Sequence, residues 1–260
     1  MSCIASAFAH GKAFIPFITA GDPTLDVTEQ LVYAMAEEGA SLIELGVPFS
    51  DPMAEGPVIQ DANIRALRHH VTTDDVFALV ERVRARGCDV PLVIMTYANV
   101  VYSYGIDRFA ARQAELGMGG VILPDVPFEE RAEFAGAFSA HGLDLVPLVA
   151  PTSASRVAQI AREATGFVYI VSSLGVTGER AQIGTDVASI VQQVKEANPD
   201  IPAAVGFGIS TPEQAAAMAR VSDGAIVGSS IVRMIGEHGE DCVEPVRAYV
   251  RSLVAAVRSA

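Results

Sequence analysis

The chain has 260 residues, half of them apolar, and a formal net charge of −13. That acidity excludes nucleic acid and anionic membrane as partners held by charge, and the short, interrupted apolar runs exclude a membrane-spanning helix. Cys3, Cys88 and Cys242 are too scattered for a disulfide framework or a zinc site.

The start, MSCIASAFAHGKAFIPF, lacks a basic region followed by a sustained apolar stretch, so no signal peptide is expected and the expected compartment is the cytoplasm. The first predicted strand is AFIPFI (13–18), and the helix after it is read from Val27, Leu31 and Met35. The second strand is SLIEL (41–45). Glu44 directly follows Leu42 and Ile43 there, and a carboxylate on a buried strand needs a reason. A long loop, GVPFSDPMAEGP, carries Asp51 and Glu55 into two helices, one on Ile59, Ala62 and Ala66, the next on Val76, Phe77, Val80 and Val83.

The alternation continues with strands at PLVIMT (91–96), GVILP (120–124), LDLVPLV (143–149), FVYIVS (167–172), PAAVGF (202–207) and GAIVG (224–228). Helices between them are read from Phe109, Gln113 and Leu116, from Phe134 and Phe138, from Val157, Ile160 and Ala161, from Val187, Ile190, Val191 and Val194, and from Ala215, Met218 and Ala219. Val246, Val250, Leu253 and Val257 close the chain. Thr73, Asp107 and Thr185 are predicted caps, Ser210 and Glu213 a capping box around Pro212, and Gly39, Gly87, Gly117 and Gly142 helix terminators. Eight strand-helix units in one chain, with no linker to cut at, predict a single (β/α)8 barrel over residues 1–260. An extra N-terminal segment precedes it, and a short helix follows strand eight.

Barrels place their chemistry at the C-terminal ends of the strands. GFGISTPEQ after strand seven and VGSSIVRMI after strand eight put Gly206, Gly208, Gly228 and Ser229 where bare amide N–H groups and a helix N-terminus can hold a phosphate. This suits an acidic protein, since no lysine is required. The chain's two lysines, Lys12 and Lys195, lie at no strand's C-terminal end, which disfavours a Schiff-base mechanism. The histidines form no ligand set, so no metal is expected. What remains is Glu44, Asp51, Glu55, Asp125, Tyr169 and Thr177, beside Phe17, Met95 and Tyr97. Carboxylates, a phenol, apolar walls and a phosphate cradle suit proton transfer without metal or cofactor.

Several segments, in order, carry a family resemblance: PFITAGDP (16–23), IELGVPFSDPMAEGP (43–57), MTYANVVYSYG (95–105), LPDVP (123–127), SSLGVTG (172–178), GFGIS (206–210) and GSSIV (228–232). The sequence resembles the tryptophan synthase α chain family over nearly its whole length. The resemblance implies cleavage of indole-3-glycerol phosphate to indole and glyceraldehyde 3-phosphate. It implies no cofactor on this chain and a pyridoxal-phosphate β subunit as partner in an α2β2 heterotetramer. Glu44 matches the family's general acid/base. Glu55 matches the second carboxylate, which accepts the indole N–H and is an aspartate in the family. Tyr169 stands with them as a third catalytic candidate and, with Phe17 and Met95, matches the ring pocket. Gly178, Gly208, Gly228 and Ser229 match the phosphate site, and Thr177 the loop residue that closes on Glu55, in a lid expected over 173–185. A sugar-phosphate isomerase or epimerase would share the glycine loops but has no use for SDPMAEGP, and a noncatalytic regulatory subunit would have no use for Glu44. A lyase that works without a partner stays open at this point.

Overall fold

Nine strand segments arise from the eight predicted strands in the computed structural model, which describes residues 3–153, 155–171, 183–206 and 208–260. They are β1 (Ala13–Thr19), β2 (Ile43–Gly46), β3 (Leu92–Met95), β4 (Gly120–Ile122), β5 (Asp144–Val146), β6 (Leu148–Val149), β7 (Val168–Val171), β8 (Ala203–Gly206) and β9 (Gly224–Val227). All neighbouring pairs are parallel, in the order β5-β4-β3-β2-β1-β9-β8-β7-β6. The two outermost segments, β5 and β6, are separated in sequence by Pro147 alone. The fifth predicted strand is therefore one strand broken at a residue that has no N–H for a ladder. Before Pro147 it pairs with β4 and after it with β7, so the sheet closes on itself as a (β/α)8 TIM barrel.

Alternation along the strands divides the apolar side chains between two sides. Ile15, Leu42, Val93, Ile122, Val146 and Ile226 meet inside the barrel, while Ile43, Leu45, Leu92, Ile94 and Val121 pack outward under the helices. Being buried on both faces, the strands read as continuous apolar runs. The N-terminal segment forms a short helix, Cys3–Ser6, whose Ile4 is fully buried in the interior cluster together with Ala7 and Phe8. The Phe8 ring lies 5.5 Å from that of Phe167. No helix among the described residues is long and apolar enough to cross a membrane.

The predicted helices form, and Gly39, Gly87, Gly117 and Gly142 adopt the positive φ that suits a glycine terminator. The caps shift by a residue. Thr72, not Thr73, caps the helix Thr73–Ala85, because a capping box needs an acceptor three residues on and Thr72 finds it in Asp75. Thr211 with Gln214, not Ser210 with Glu213, does the same ahead of Pro212–Val221. Asp107 falls inside the first turn of Ile106–Glu115, and Thr185 lies within Ile183–Ala197. One helix, Ala98–Tyr104, was not predicted; its first N–H is held by Asp125, 27 residues away.

Under the β3 to β5 side, Phe109 is fully buried at the centre of an aromatic group, with ring centroids 5.2 Å from Phe77, 5.7 Å from Tyr104 and 6.4 Å from Phe138. These four rings join four separate helices. Phe109→Ala should therefore cost about 3–5 kcal/mol of stability by leaving a cavity that rigid neighbours cannot fill. Urea denaturation of both proteins measures it, and a loss below about 1 kcal/mol would contradict this account of the packing.

Candidate active site

Glu44 lies on β2 with the same inward parity as Leu42, one step up toward the C-terminal mouth. Its side chain is fully buried, and neither carboxylate oxygen has a hydrogen-bond partner. Burial pushes its carboxyl well above the usual carboxylate range. Tyr169, inward on β7, is also buried; burial, and then the neighbouring charge of Glu44, push its phenol well above its ordinary value. Burial thus disfavours a charge on either group, and a charge on one disfavours a charge on the other.

Glycines make room for the rings around them. A Cβ on Gly206 would sit 2.5 Å from the Tyr169 hydroxyl oxygen, so β8 can pass the phenol only as glycine. A Cβ on Gly46 would lie 2.7 Å from the tip of the Phe17 ring, and one on Gly228 would lie 3.3 Å from Phe17 Cβ. Phe17 pairs in register with Glu44 on the adjacent strand and packs with Ile59, Ala62 and Val232. Met95, at the end of β3, packs against both this group and the barrel interior. Phe17, Met95 and Tyr169 are therefore the walls around Glu44. Gly206, expected in the phosphate loop, is the last residue of β8 and lies against the phenol.

Glu55 is half-buried in the loop that follows β2. Asn63 Nδ2 donates to its Oε2 at 2.7 Å, and Gln60 Nε2 donates to its backbone oxygen at 2.8 Å. Burial raises its carboxyl, against the hydrogen bonds of Asn63 and Tyr97, which favour the ionised form. The Tyr97 phenol is itself pushed up to about 12, chiefly by burial, and accepts a hydrogen bond from Ala54 N at 3.0 Å. Asp51 is exposed and bonded to Ser50. Asp125 is committed to the N–H of Ala98, with its two oxygens 3.0 and 3.1 Å away. Of the strand-end carboxylates, Glu44 and Glu55 remain for chemistry. Sequence reasoning passed over Asn63, a buried polar residue on an otherwise ordinary amphipathic helix, Pro57–Leu67.

Gly228 precedes the helix Ser229–His238, whose first-turn N–H groups face the mouth of the barrel with the positive end of the helix dipole. Gly208 adopts φ +74, and a Cβ there would meet nothing within 4 Å. A small network fixes the two loops to each other. Ser230 Oγ donates to Ile209 O at 3.2 Å, and the Tyr249 hydroxyl lies 2.9 Å from Ser210 O and 3.0 Å from Ser230 Oγ. Thr177 and Gly178, with most of the expected lid, lie outside the described residues. Among the described residues no group of three or more His, Cys, Asp or Glu side chains is gathered as metal ligands.

Comparison with known proteins bears on this geometry as a whole. The family described as "Tryptophan synthase alpha chain" matches residues 5–258. The tryptophan synthase alpha chain of Lactiplantibacillus plantarum is 45% identical, over 100% of this chain and 96% of its own. The crystal structure of tryptophan synthase subunit alpha from Legionella pneumophila superposes with a TM-score of 0.90 at 37% identity, covering 100% of both chains. A chain of the tryptophan synthase complex from Pyrococcus furiosus gives 0.84 at 33% identity, covering 94% of this chain and 99% of that one. The barrel, the buried acid and the glycine loops thus stand in a sequence matched from end to end, and the chain belongs to the tryptophan synthase alpha chain family.

Proposed function

We propose that Glu44 is the general acid/base and Glu55 the second carboxylate of this chain's lyase reaction. The family cleaves indole-3-glycerol phosphate to indole and glyceraldehyde 3-phosphate in tryptophan biosynthesis. The observation that carries the assignment is a carboxyl without any hydrogen-bond partner, inside an apolar wall, at a strand's C-terminal end. Such a group holds its proton to higher pH than an exposed carboxyl and can give it to a base that enters its pocket. Protonation of indole C3 makes an indolenine. The bond from C3 to the glycerol chain then breaks, its electron pair returns to the ring, and the adjacent hydroxyl loses its proton to become the aldehyde. Glu44, having given one proton, is the base at hand to take the other. Glu55, whose carboxylate form is favoured by the hydrogen bonds of Asn63 and Tyr97 against the effect of burial, accepts the ring N–H as the ring becomes cationic. Tyr169, Phe17 and Met95 hold the ring, and the N–H groups behind Gly208, Gly228 and Ser229 hold the phosphate. Thr177 and Gly178 take the lid and phosphate roles that the family pattern gives them.

Membership of an α-chain family, and likeness to a chain of the Pyrococcus furiosus complex, support a β subunit as partner. We infer an α2β2 assembly in the cytoplasm, with pyridoxal phosphate on the β subunit, no cofactor on this single-domain chain, and no nucleic acid or membrane as partner. Its docking face includes Met53, 81% exposed in the SDPMAEGP loop, and Tyr102, 45% exposed. Size-exclusion chromatography with a cognate β chain should show a complex, and its absence with both sites liganded would contradict the assignment.

Glu44→Gln should lower indole formation by at least about 10²-fold while a phosphate-bearing analogue still binds. Near-normal turnover would sink the role. The same variant tests the burial argument. Unfolded, the carboxyl loses its proton near 4.5, while the folded protein keeps it until well above that. Between those values the folded state binds the extra proton, so rising pH withdraws stability, by up to about 1.4 kcal/mol per unit. Glu44→Gln should therefore gain in Tm over the parent as pH rises above about 5. Melting curves parallel across that range would contradict it. Glu55→Ala should lose at least about 10²-fold in kcat with a smaller change in KM, because its hydrogen bond is strongest in the transition state. Steady-state kinetics on indole-3-glycerol phosphate decide this.

A further inference from the structure

Glu55 is a glutamate where the family has an aspartate, and its loop is long and rich in turn residues. A longer carboxylate on such a loop has more rotamers to lose before it can meet a ring N–H at a fixed place. What fixes it is the helix that follows. Pro57–Leu67 reaches back over the loop at two levels, Gln60 bonding the backbone oxygen of Glu55 and Asn63 bonding its side chain.

That helix is itself anchored on both sides. Ile59 and Ala62 are buried against Phe17 and Val232. Arg65 makes a two-pronged pair, 2.7 and 2.8 Å, with Asp22, whose side chain is fully buried in the loop after β1. Asn63 stands between these anchors and is itself only 4% exposed. Its amide can neither turn to solvent nor find the carboxylate by chance, and a buried donor on a rigid helix holds its acceptor in one place.

We propose that Asn63 is a positioning residue of the lyase site. By binding Oε2 of Glu55 it fixes the orientation in which the carboxylate is offered to the ring N–H, and it takes up the additional methylene that glutamate brings. The inference rests on the role of Glu55 argued above. The same hydrogen bond favours the ionised carboxylate, which is the form an N–H acceptor needs. Tyr97 faces Glu55 from the end of β3, and Asp125 in turn faces the Tyr97 phenol. Both are left in place by substitution at 63, so a change in the pH profile reports on Glu55.

Asn63→Leu keeps the branching and number of side-chain heavy atoms and removes the donor. On indole-3-glycerol phosphate it should lower kcat about tenfold, change KM less, and move the acid limb of the kcat profile up by about one pH unit. In a Glu55→Ala background it should lower kcat no further, since it acts only through that carboxylate. An equal fall in both backgrounds, or an unmoved acid limb, would overturn the inference in favour of a purely structural asparagine. Should Asn63→Leu fail to fold, Asn63→Asp has the same shape and sets a second carboxylate against Oε2. It should raise the limb at least as far, and an unmoved limb there is equally fatal. Glu55→Ala at the parent rate would sink the role of Glu55 and this inference together. An impaired Glu55→Ala beside unaffected Asn63 variants would sink the inference alone.

Discussion

A carboxyl group with no hydrogen-bond partner, enclosed by a barrel wall, is the constraint around which the other features fall into place. An unpaired polar group in such surroundings costs the fold free energy that apolar packing elsewhere has to offset. The closed sheet, the N-terminal helix with Ile4 inside it, and the aromatic group around Phe109 supply that packing. The acid in turn dictates what stands next to it. A phenol that resists ionisation can share a pocket that penalises charge, and the bulk of Tyr169 and Phe17 requires glycine on the facing strands.

The site separates two carboxyl groups by environment more than by chemistry. Glu44 has apolar neighbours and no donors, so its proton stays on. Glu55 also feels burial, but Asn63 and Tyr97 offer it hydrogen bonds that favour the charge. Both carboxyls are raised by burial, Glu44 the more strongly because no donor offsets it. Phosphate is the remaining difficulty for a chain of net charge −13. Helix N–H groups at the proposed site can hold an anion locally, because their dipoles act over a single turn and do not depend on the sign of the distant surface.

Much of this was legible in the sequence for physical reasons. Strands buried on both faces leave apolar runs, helices leave their spacing, and a glutamate inside such a run announces itself. Glycines after the seventh and eighth predicted strands pointed to loops with backbone requirements that only glycine meets freely, and Gly208 does adopt a positive φ. Other features depended on three-dimensional partners. Pro147 stood in plain view, but that it marks the handover from β4 to β7 follows only from the pairing. The helix Ala98–Tyr104 went unseen because the carboxylate that caps it comes from a different loop. The capping residues shifted by one because neighbouring Thr and Ser residues compete for the same task, and the acceptor three residues on decides. Asn63 is eight residues from Glu55, and no local periodicity reports a contact across a turn of loop and two turns of helix.

The hydroxyl of Tyr249, which ties Ser210 to Ser230, belongs to the final helix, 39 residues after Ser210. On the ribosome, every strand is synthesised before this tether exists. A nascent barrel can therefore close, and bury Glu44, while its anion cradle still lacks the brace that holds two loops in register. A change that perturbs this helix would therefore loosen the two loops from the far side of the molecule, without altering either loop's own sequence.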